Sequence, residues 1–346
     1  MKKINFMFVG IVILALVASA CTPPATPPPA PPASTEAPAA PAAAPAAATN
    51  CPWGPGKKVA ALLPGLVTDF SWNQWGFEGL TRASKECGFE VAYTENVTQD
   101  AQLEIFRSYA AEGYSVIFGH GGEFGQAAFQ VGKEYPDVKF VWGNGLKGDG
   151  AGVTGVSLDY YQDGYFAGVI ACQVTKSKKI GIVIGEMIAI AEEALKGYTD
   201  GAQTCGNKVE IVSVVTLAWA DVQKANEAAK AMIADGVDVL FHLLDAADAG
   251  VFAAAQDGGV LAVGSMSDQS SLGPKAVVGS IGIKPDQIFY SVLVGKIPLD
   301  GGAHIIGLNV KNGLEVYWND DVATPEVIAK TEEIIKKVAS GALKIP

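Results

Sequence analysis

From Lys57 onward, short apolar runs alternate with longer amphipathic stretches, and this alternation restricts the fold more than any other feature of the chain. Strand signals fall at Lys58–Leu63, Phe89–Tyr93, Ser115–Gly119, Lys139–Trp142 and Val153–Leu158, with helical spacing over Ser71–Cys87, Ala101–Glu112 and Phe124–Tyr135 between them. The second half repeats the scheme. Helix Gly164–Thr175 leads to strand Lys179–Ile184, helix Ala189–Ala202 and strand Glu210–Thr216. Helix Val222–Asp235, strand Val237–His242, helix Ala249–Asp257 and strand Val260–Ser265 follow. Val277–Ile283, helix Pro285–Leu293, strand Ala303–Val310 and helix Thr324–Gly341 complete the chain. A βαβα order of this kind builds parallel sheets with helices on both faces. The halves also share a strand entry, Gly113-Tyr114-Ser115-Val116 and Gly236-Val237-Asp238-Val239. At 346 residues the chain exceeds one ordinary core, so two similar α/β lobes facing each other across a cleft are expected.

The first residues read as an export signal. Lys2 and Lys3 precede the apolar stretch Ile4–Ala20, and Ala18-Ser19-Ala20 stands before Cys21. Small residues before a cysteine resemble a bacterial lipobox, which would make residues 1–20 a signal peptide and Cys21 the lipidated N-terminus of the mature protein. Residues 21–56 would then be the anchor and its linker, since Thr22–Asn50 is almost wholly Pro, Ala and Thr and has nothing to bury. Cys51, Cys87, Cys172 and Cys205 remain, and outside the cytoplasm they can pair in three ways. Their matching places in the two halves favour Cys51–Cys87 and Cys172–Cys205. The net charge of −11 argues against nucleic acid or an anionic membrane surface as partner.

The site is expected where the first strand runs into its helix, over Leu62–Leu80. Pro64-Gly65 breaks the strand, Ser71 can cap the helix, and the loop lies at the carboxyl edge where open α/β sheets bind ligands. Trp72 reads as half of a clamp for a flat ligand, whereas Trp75, one helical turn on, reads as core. His120, in Gly119-His120-Gly121-Gly122, can hydrogen-bond a ligand edge or simply shape its loop. His242 reads as packing, Asp245 as facing the cleft, and Asp221 as a helix cap. Phe124 and Trp142 can wall the pocket, core being the better reading of Trp142. Gly143-Asn144-Gly145-Leu146-Lys147-Gly148 matches a dinucleotide fingerprint, but no helix follows it, so that reading fails. No catalytic triad elbow, zinc motif or aspartate cluster is visible, and neither an enzyme nor a metal or cofactor site is expected.

Several short pieces, in order, resemble the basic membrane protein family of ABC-transporter substrate-binding lipoproteins, the purine-nucleoside-receptor-like family. They are Thr68-Asp69-Phe70-Ser71-Trp72-Asn73-Gln74 with Glu78-Gly79-Leu80, Tyr135-Pro136-Asp137-Val138-Lys139-Phe140, Gly164-Tyr165-Phe166-Ala167-Gly168 and Lys179-Ile180-Gly181. Lys196-Gly197-Tyr198 with Gly201-Ala202, Trp219-Ala220-Asp221 and Gly236-Val237-Asp238-Val239 follow. The resemblance implies a type I periplasmic-binding-protein fold, with two doubly wound lobes joined by three hinge crossovers at Val153–Leu158, Val277–Ile283 and Ile305–Val310. The lobes would be 57–157 plus 284–305 and 158–283 plus 306–346. It further implies a monomer that carries a purine between two aromatic rings, Trp72 beside Asn73 and Trp219 beside Asp221, and delivers it to a membrane permease. Asp69 and Phe70 lie in the first of these loops. The family's ribose-directed aspartates are replaced here by Gly143-Asn144 and by Gly264-Ser265-Met266-Ser267-Asp268, and its lysine falls at Ile283, beside Lys284. This favours a purine base, with Asn144, Met266 and Asp268 near it, over a nucleoside. A sugar held by Asp69, Asn73, Asn144 and Asp245, or a sensor role, is the alternative.

Overall fold

In a computed structural model the protein is described over residues 51–69, 72–206 and 208–345, with the backbone of Thr35–Glu36. Phe70, Ser71, the export segment and Cys21 lie outside the described residues. The strands are β1 (Thr35–Glu36), β2 (Lys58–Leu62), β3 (Glu90–Thr94), β4 (Val116–Gly119), β5 (Lys139–Gly143), β6 (Val153–Leu158) and β7 (Lys179–Ile184). They continue as β8 (Glu210–Val215), β9 (Val239–Leu243), β10 (Leu261–Ser265), β11 (Val277–Gly282), β12 (Ala303–Ile306) and β13 (Glu315–Trp318). The helices are α1 (Trp72–Cys87), α2 (Gln102–Ala111), α3 (Gly125–Glu134), α4 (Tyr160–Val174), α5 (Ala189–Ala202), α6 (Val222–Ala234), α7 (Asp248–Gly258), α8 (Asp286–Leu293) and α9 (Pro325–Ala339).

Two sheets result. Their strand orders are β1-β3-β2-β4-β5-β6-β12 and β13-β11-β10-β9-β7-β8. Setting aside β1, each order is the mirror of the other in sequence terms: β3-β2-β4-β5-β6 corresponds to β8-β7-β9-β10-β11, and each sheet takes one late strand at its far edge. The late strands differ in sense, β12 lying parallel to β6 and β13 antiparallel to β11. The chain therefore passes between the sheets three times, after β6, after β11 and after β12. The α/β two-lobed class expected from the alternation is the class observed.

Strand alternation sets the layers. Val59, Ala61 and Leu63 point into one core while Ala60 and Leu62 point into another, and Val116 and Phe118 separate from Ile117 in the same way. In the second sheet Val239, Phe241 and Leu243 join the first core, whereas Leu240 and Leu244 enter a third. Side chains of a strand alternate faces, so a strand that is apolar on both must be covered on both. Helices α1, α4, α5, α8 and α9 feed the shared core, α2 and α3 cover the outer face of the first sheet, and α6 and α7 that of the second.

Helices α4 and α5 meet most closely. A Cβ added at Gly197 would strike the carbonyl oxygen of Tyr161, and one at Gly164 would strike that of Ala194. Side-chain-free positions on both helices thus set their spacing. Two disulfides brace the ends of these layers, Cys51–Cys87 with Cα atoms 5.7 Å apart and Cys172–Cys205 with Cα atoms 6.0 Å apart.

Three elements depart from the sequence expectation. Helix α4 starts at Tyr160 rather than Gly164, because the Asp159 carboxylate accepts from the Gln162 backbone N–H (2.9 Å) and caps the helix there. Strand β12 stops at Ile306, and β13 was not expected at all. Its four residues are exposed or half-buried, so it shows none of the apolar continuity that marks the inner strands.

Candidate ligand-binding cleft

The carboxyl ends of the strands of both sheets open on one cavity of about 780 Å³. Pro64, Trp72, Gly121, Gly122, Glu123, Trp142, Asn144, Leu146 and Lys147 line it from the first lobe. Tyr160, Glu186, Ile188, Ala189, Ile190, Trp219, Leu243, Asp245 and Met266 line it from the second. Of the residues expected at the ligand, the structure brings Trp72, Asn144, Trp219, Asp245 and Met266 to this cavity.

The first loop is organised by Asp69. Its carboxylate accepts from the backbone N–H groups of Asn73 (3.1 Å) and Gln74 (3.0 Å), and from the Asn73 side-chain amide (2.7 Å). Asp69 thus satisfies two backbone N–H groups in the first turn of α1; Ser71, expected to cap the helix, lies outside the described residues. Asn73 is spent inside the loop as well, since its Oδ1 accepts from Gly65 N–H (3.2 Å). Neither residue is among those that line the cavity.

His120 lies behind Trp72 rather than in the cavity. The two rings stack with centroids 4.2 Å apart and planes 2° from parallel. The Trp72 indole N–H donates to the His120 carbonyl (3.1 Å), and the His120 ring pairs with the Trp72 carbonyl through Nε2 (2.8 Å). A carbonyl only accepts, so Nε2 carries the proton, while Nδ1 is buried with no partner. Burial pulls the His120 pKa down to about 4, against a smaller opposing effect of the Trp72 carbonyl, so the ring is neutral at neutral pH. Trp72 itself is only 6 % exposed, with one face closed by His120.

Trp219 and Trp142 are half-buried and give the cavity wider walls. Trp219 lies over Gly185, where a Cβ would meet its ring, so only glycine at the end of β7 seats the indole. Trp142 donates its indole N–H to the Gly122 carbonyl (3.0 Å). The pocket-or-core choice for the two aromatics is thus resolved the other way round: Trp142 lines the cavity, and Phe124 is fully buried. Their exchange follows from position, because Trp142 stands one residue from the carboxyl end of β5, past the buried Phe140 and Val141, while Phe124 packs against Phe106.

The remaining expected residues lie elsewhere. Asp221 caps α6 through the Lys224 N–H (3.0 Å) and does not line the cavity. Asp268 is exposed and accepts from Ser270 N–H (3.0 Å). His242 is buried against Gln269 (2.9 Å) as part of a polar network beneath the cleft. There Gln269 also accepts from Ser265 N–H (2.8 Å) and donates to Asp248. Asn144 and Met266 hold left-handed backbone, with φ of 58° and 68°. Leu217, two residues before Trp219, does the same at 56° and is 75 % exposed. Strained conformations gather at functional loops because the surrounding fold over-determines them.

Sequence reading placed Asp245 at the cleft but missed the other ionisable groups of the cavity. Glu123, Glu186 and Lys147 line it beside Asp245, and Tyr160 donates to Asn144 Oδ1 (3.3 Å). Burial, with the charges of Asp69, Asp248 and Glu123 added, pushes Asp245 up to about 7. Burial also raises Glu123, and Glu186 adds to it from the opposite lobe. Position after a strand was the only signal available for Glu123 and Glu186, and that signal is weak. Among the described residues no cluster of His, Cys, Asp and Glu could hold a metal ion, and no helix is long and apolar enough to cross a membrane.

Two parallel α/β lobes, three connections and a cavity lined from both sides define a two-lobed solute-binding protein. The chain belongs to the Bmp family of PnrA-like ABC transporter substrate-binding proteins, whose family model matches residues 56–346. It is similar to the ABC transporter nucleoside-binding protein BmpA of Lactococcus lactis, at 26% identity over 305 residues, 81% of this chain and 86% of the relative. It is also similar to the transcriptional activator protein med of Bacillus subtilis, at 27% identity over 259 residues, 74% of this chain and 80% of the relative. In fold it is similar to an ABC transporter solute-binding protein from Conexibacter woesei, with TM-score 0.64 and 23% identity over 84% of this chain and 99% of the other. The protein is thus a substrate-binding component of an ABC transporter, not an enzyme. It works outside the cytoplasm with a small ligand and a permease as partners.

Proposed function

We propose that this chain is a lipid-anchored receptor that binds a purine base in the interlobe cleft, between Trp72 and Trp219, and hands it to the permease. The observation that carries the reading is that indoles from both lobes meet on a single cavity, Trp72 and Trp142 from the first and Trp219 from the second, with Trp72 braced from behind by His120. Flat π-faces suit a flat ligand, and stacking a base on such a platform is worth about 1–3 kcal/mol per ring. Closure would move residues 57–157 with 284–305 against 158–283 with 306–346, and the protein would act as a monomer. Cys21 would hold the chain at the membrane through its lipid, with residues 22–56 as spacer.

A purine nucleoside is the second reading, favoured by a cavity of about 780 Å³, by Asn144 on its wall and by the nucleoside-binding relative. A net charge of −11 opposes DNA as a partner.

Thermal-shift measurements on the purified protein test the reading with free purine bases, their nucleosides and a set of sugars. A ligand that binds only the folded state adds about 2.7 kcal/mol at a hundredfold excess over Kd. Stabilisation by free bases supports the proposal. Stabilisation by nucleosides alone moves the ligand to the second reading, and a response to sugars alone rejects both.

A further inference from the structure

The cavity has an uneven supply of hydrogen-bonding groups. Three of its lining donors are spent within the protein. The Trp72 N–H goes to the His120 carbonyl, the Trp142 N–H to the Gly122 carbonyl and the Tyr160 hydroxyl to Asn144. Lys147, 5.7 Å from the centre of the Phe129 ring, brings one ammonium to the lining. The carboxylates, in contrast, are offered to the cavity from both lobes, Glu123 from the first and Glu186 and Asp245 from the second. Glu123 feels the charge of Glu186, and Asp245 feels that of Glu123, so the three share one space. An ionised carboxylate only accepts hydrogen bonds. A ligand rich in carbonyl oxygens would meet these groups acceptor to acceptor, whereas one rich in N–H groups would satisfy them.

We infer that the cleft selects its ligand by exocyclic amino groups, with Glu123, Glu186 and Asp245 accepting from the amino N–H groups of a purine, so that aminopurines bind in preference to their oxo counterparts. The inference rests on the purine reading above and adds the specificity-determining residues to it. Stacking on indoles does not separate amino from oxo purines, because every base has a π-face. A carboxylate facing the exchanged position does, because replacing an amino group by a carbonyl removes a charge-assisted bond and leaves two acceptors opposed. Asp245 also links binding to protons. Asp69, Asp248, Glu123 and the Tyr160 ring face it, and its carboxyl titrates near pH 7. A ligand that requires the ionised form therefore expels a proton from that fraction of molecules that still holds one.

Titration calorimetry of the full-length protein with adenine, 2,6-diaminopurine, hypoxanthine and xanthine tests this directly. Adenine and hypoxanthine differ by one amino-to-oxo exchange, and diaminopurine and xanthine by two. The expected result is a loss of about tenfold or more per exchange. Adenine binding at pH 7 should release protons, seen as a heat that changes between buffers of different ionisation enthalpy. Asp245→Asn and Glu123→Gln should each shrink the adenine-to-hypoxanthine gap to within about threefold, and Asp245→Asn should also abolish the proton release. Equal or tighter binding of the oxo purines overturns the inference, and so does a gap that survives both substitutions. In either case purines still bind, and the stacking reading stands. No binding of any of the four removes the purine reading, and the inference falls with it.

Discussion

At the scale of single residues, Trp72 and Trp219 have different duties although both meet the cavity. Trp72 belongs to the core and makes a hydrogen bond and a ring stack with His120, while Trp219 is half-buried over Gly185. Trp219→Ala should therefore weaken ligand binding about 10- to 100-fold with little loss of stability, as read by calorimetry and thermal melting. Trp72→Phe should do the reverse: it keeps an aromatic face but leaves the His120 carbonyl unpaired, costing about 1–3 kcal/mol of stability. A Trp219→Ala protein with unchanged affinity would take that indole out of the site. Asp245 supplies a pH signature. Its folded pKa, about 7, lies above the unfolded value near 3.9. The folded state thus holds the proton longer, and stability falls as pH rises from about 4 through 7. His120 acts in the opposite sense. Its folded pKa near 4 lies below the unfolded value near 6.5, so stability is lost as pH falls through that window. Asp245→Asn should consequently raise stability at pH 8, on the order of 1–2 kcal/mol after allowing for solvent in the cavity, and change nothing at pH 4. Denaturation at the two pH values checks the sign, and equal gains at both would show that Asp245 is not strained by ionisation.

At the scale of elements, the close pairing of α4 and α5 carries much of the second lobe. Gly164 and Gly197 allow backbone to approach backbone, and the Cys172–Cys205 bridge ties the far end of the pair. Gly197→Ala places a methyl group against the Tyr161 carbonyl. The helices must then separate, and the expected cost is about 1–3 kcal/mol, measured as a lower denaturation midpoint. Better helix propensity for alanine, worth up to about 1 kcal/mol, works the other way. A stabilised Gly197→Ala protein would mean that the helices move apart freely. The position matters to function because α4 begins at Tyr160, in the cavity wall, and α5 begins at Ala189, which lines that wall with Ile188.

For the whole molecule, a cavity walled by both lobes couples occupancy to their relation. Three chain passages connect the lobes, so a ligand that touches both walls stabilises one arrangement of them. Addition of a bound purine should reduce the radius of gyration in solution scattering, and an unchanged value at saturation would mean that the ligand sits on one lobe only. The acidic net charge of −11 suits a protein presented in solvent on a tether. If Cys21 carries the lipid, Cys21→Ser should move the protein from the membrane fraction to the soluble fraction on cell fractionation, with ligand affinity unchanged within about twofold. Retention of the Cys21→Ser protein in the membrane would require a different anchor.

Much of this arrangement is written locally. Apolar continuity in Val59–Leu63 and Ile180–Ile184 marks buried strands, helical spacing separates them, and repetition of the scheme determines two lobes. A loop that follows a parallel strand is bound for the carboxyl edge, so Trp72 and Asp245 were legible as cleft residues from their order in the chain, whereas Trp219 and Asn144 were marked by the family resemblance. Contacts between distant segments were not legible. The stack of His120 on Trp72 joins residues 48 positions apart, and nothing near either one shows that the histidine backs the ring instead of facing the ligand. Strand β13 is too short and too exposed to mark itself, and it exists because β11 offers it an edge. The carboxylates of Glu123 and Glu186 are ordinary loop residues in one dimension, and nothing in chain order joins them to Asp245. Only the folded lobes bring them into one space, because electrostatic interaction depends on distance through space and on burial, and neither is a property of sequence order.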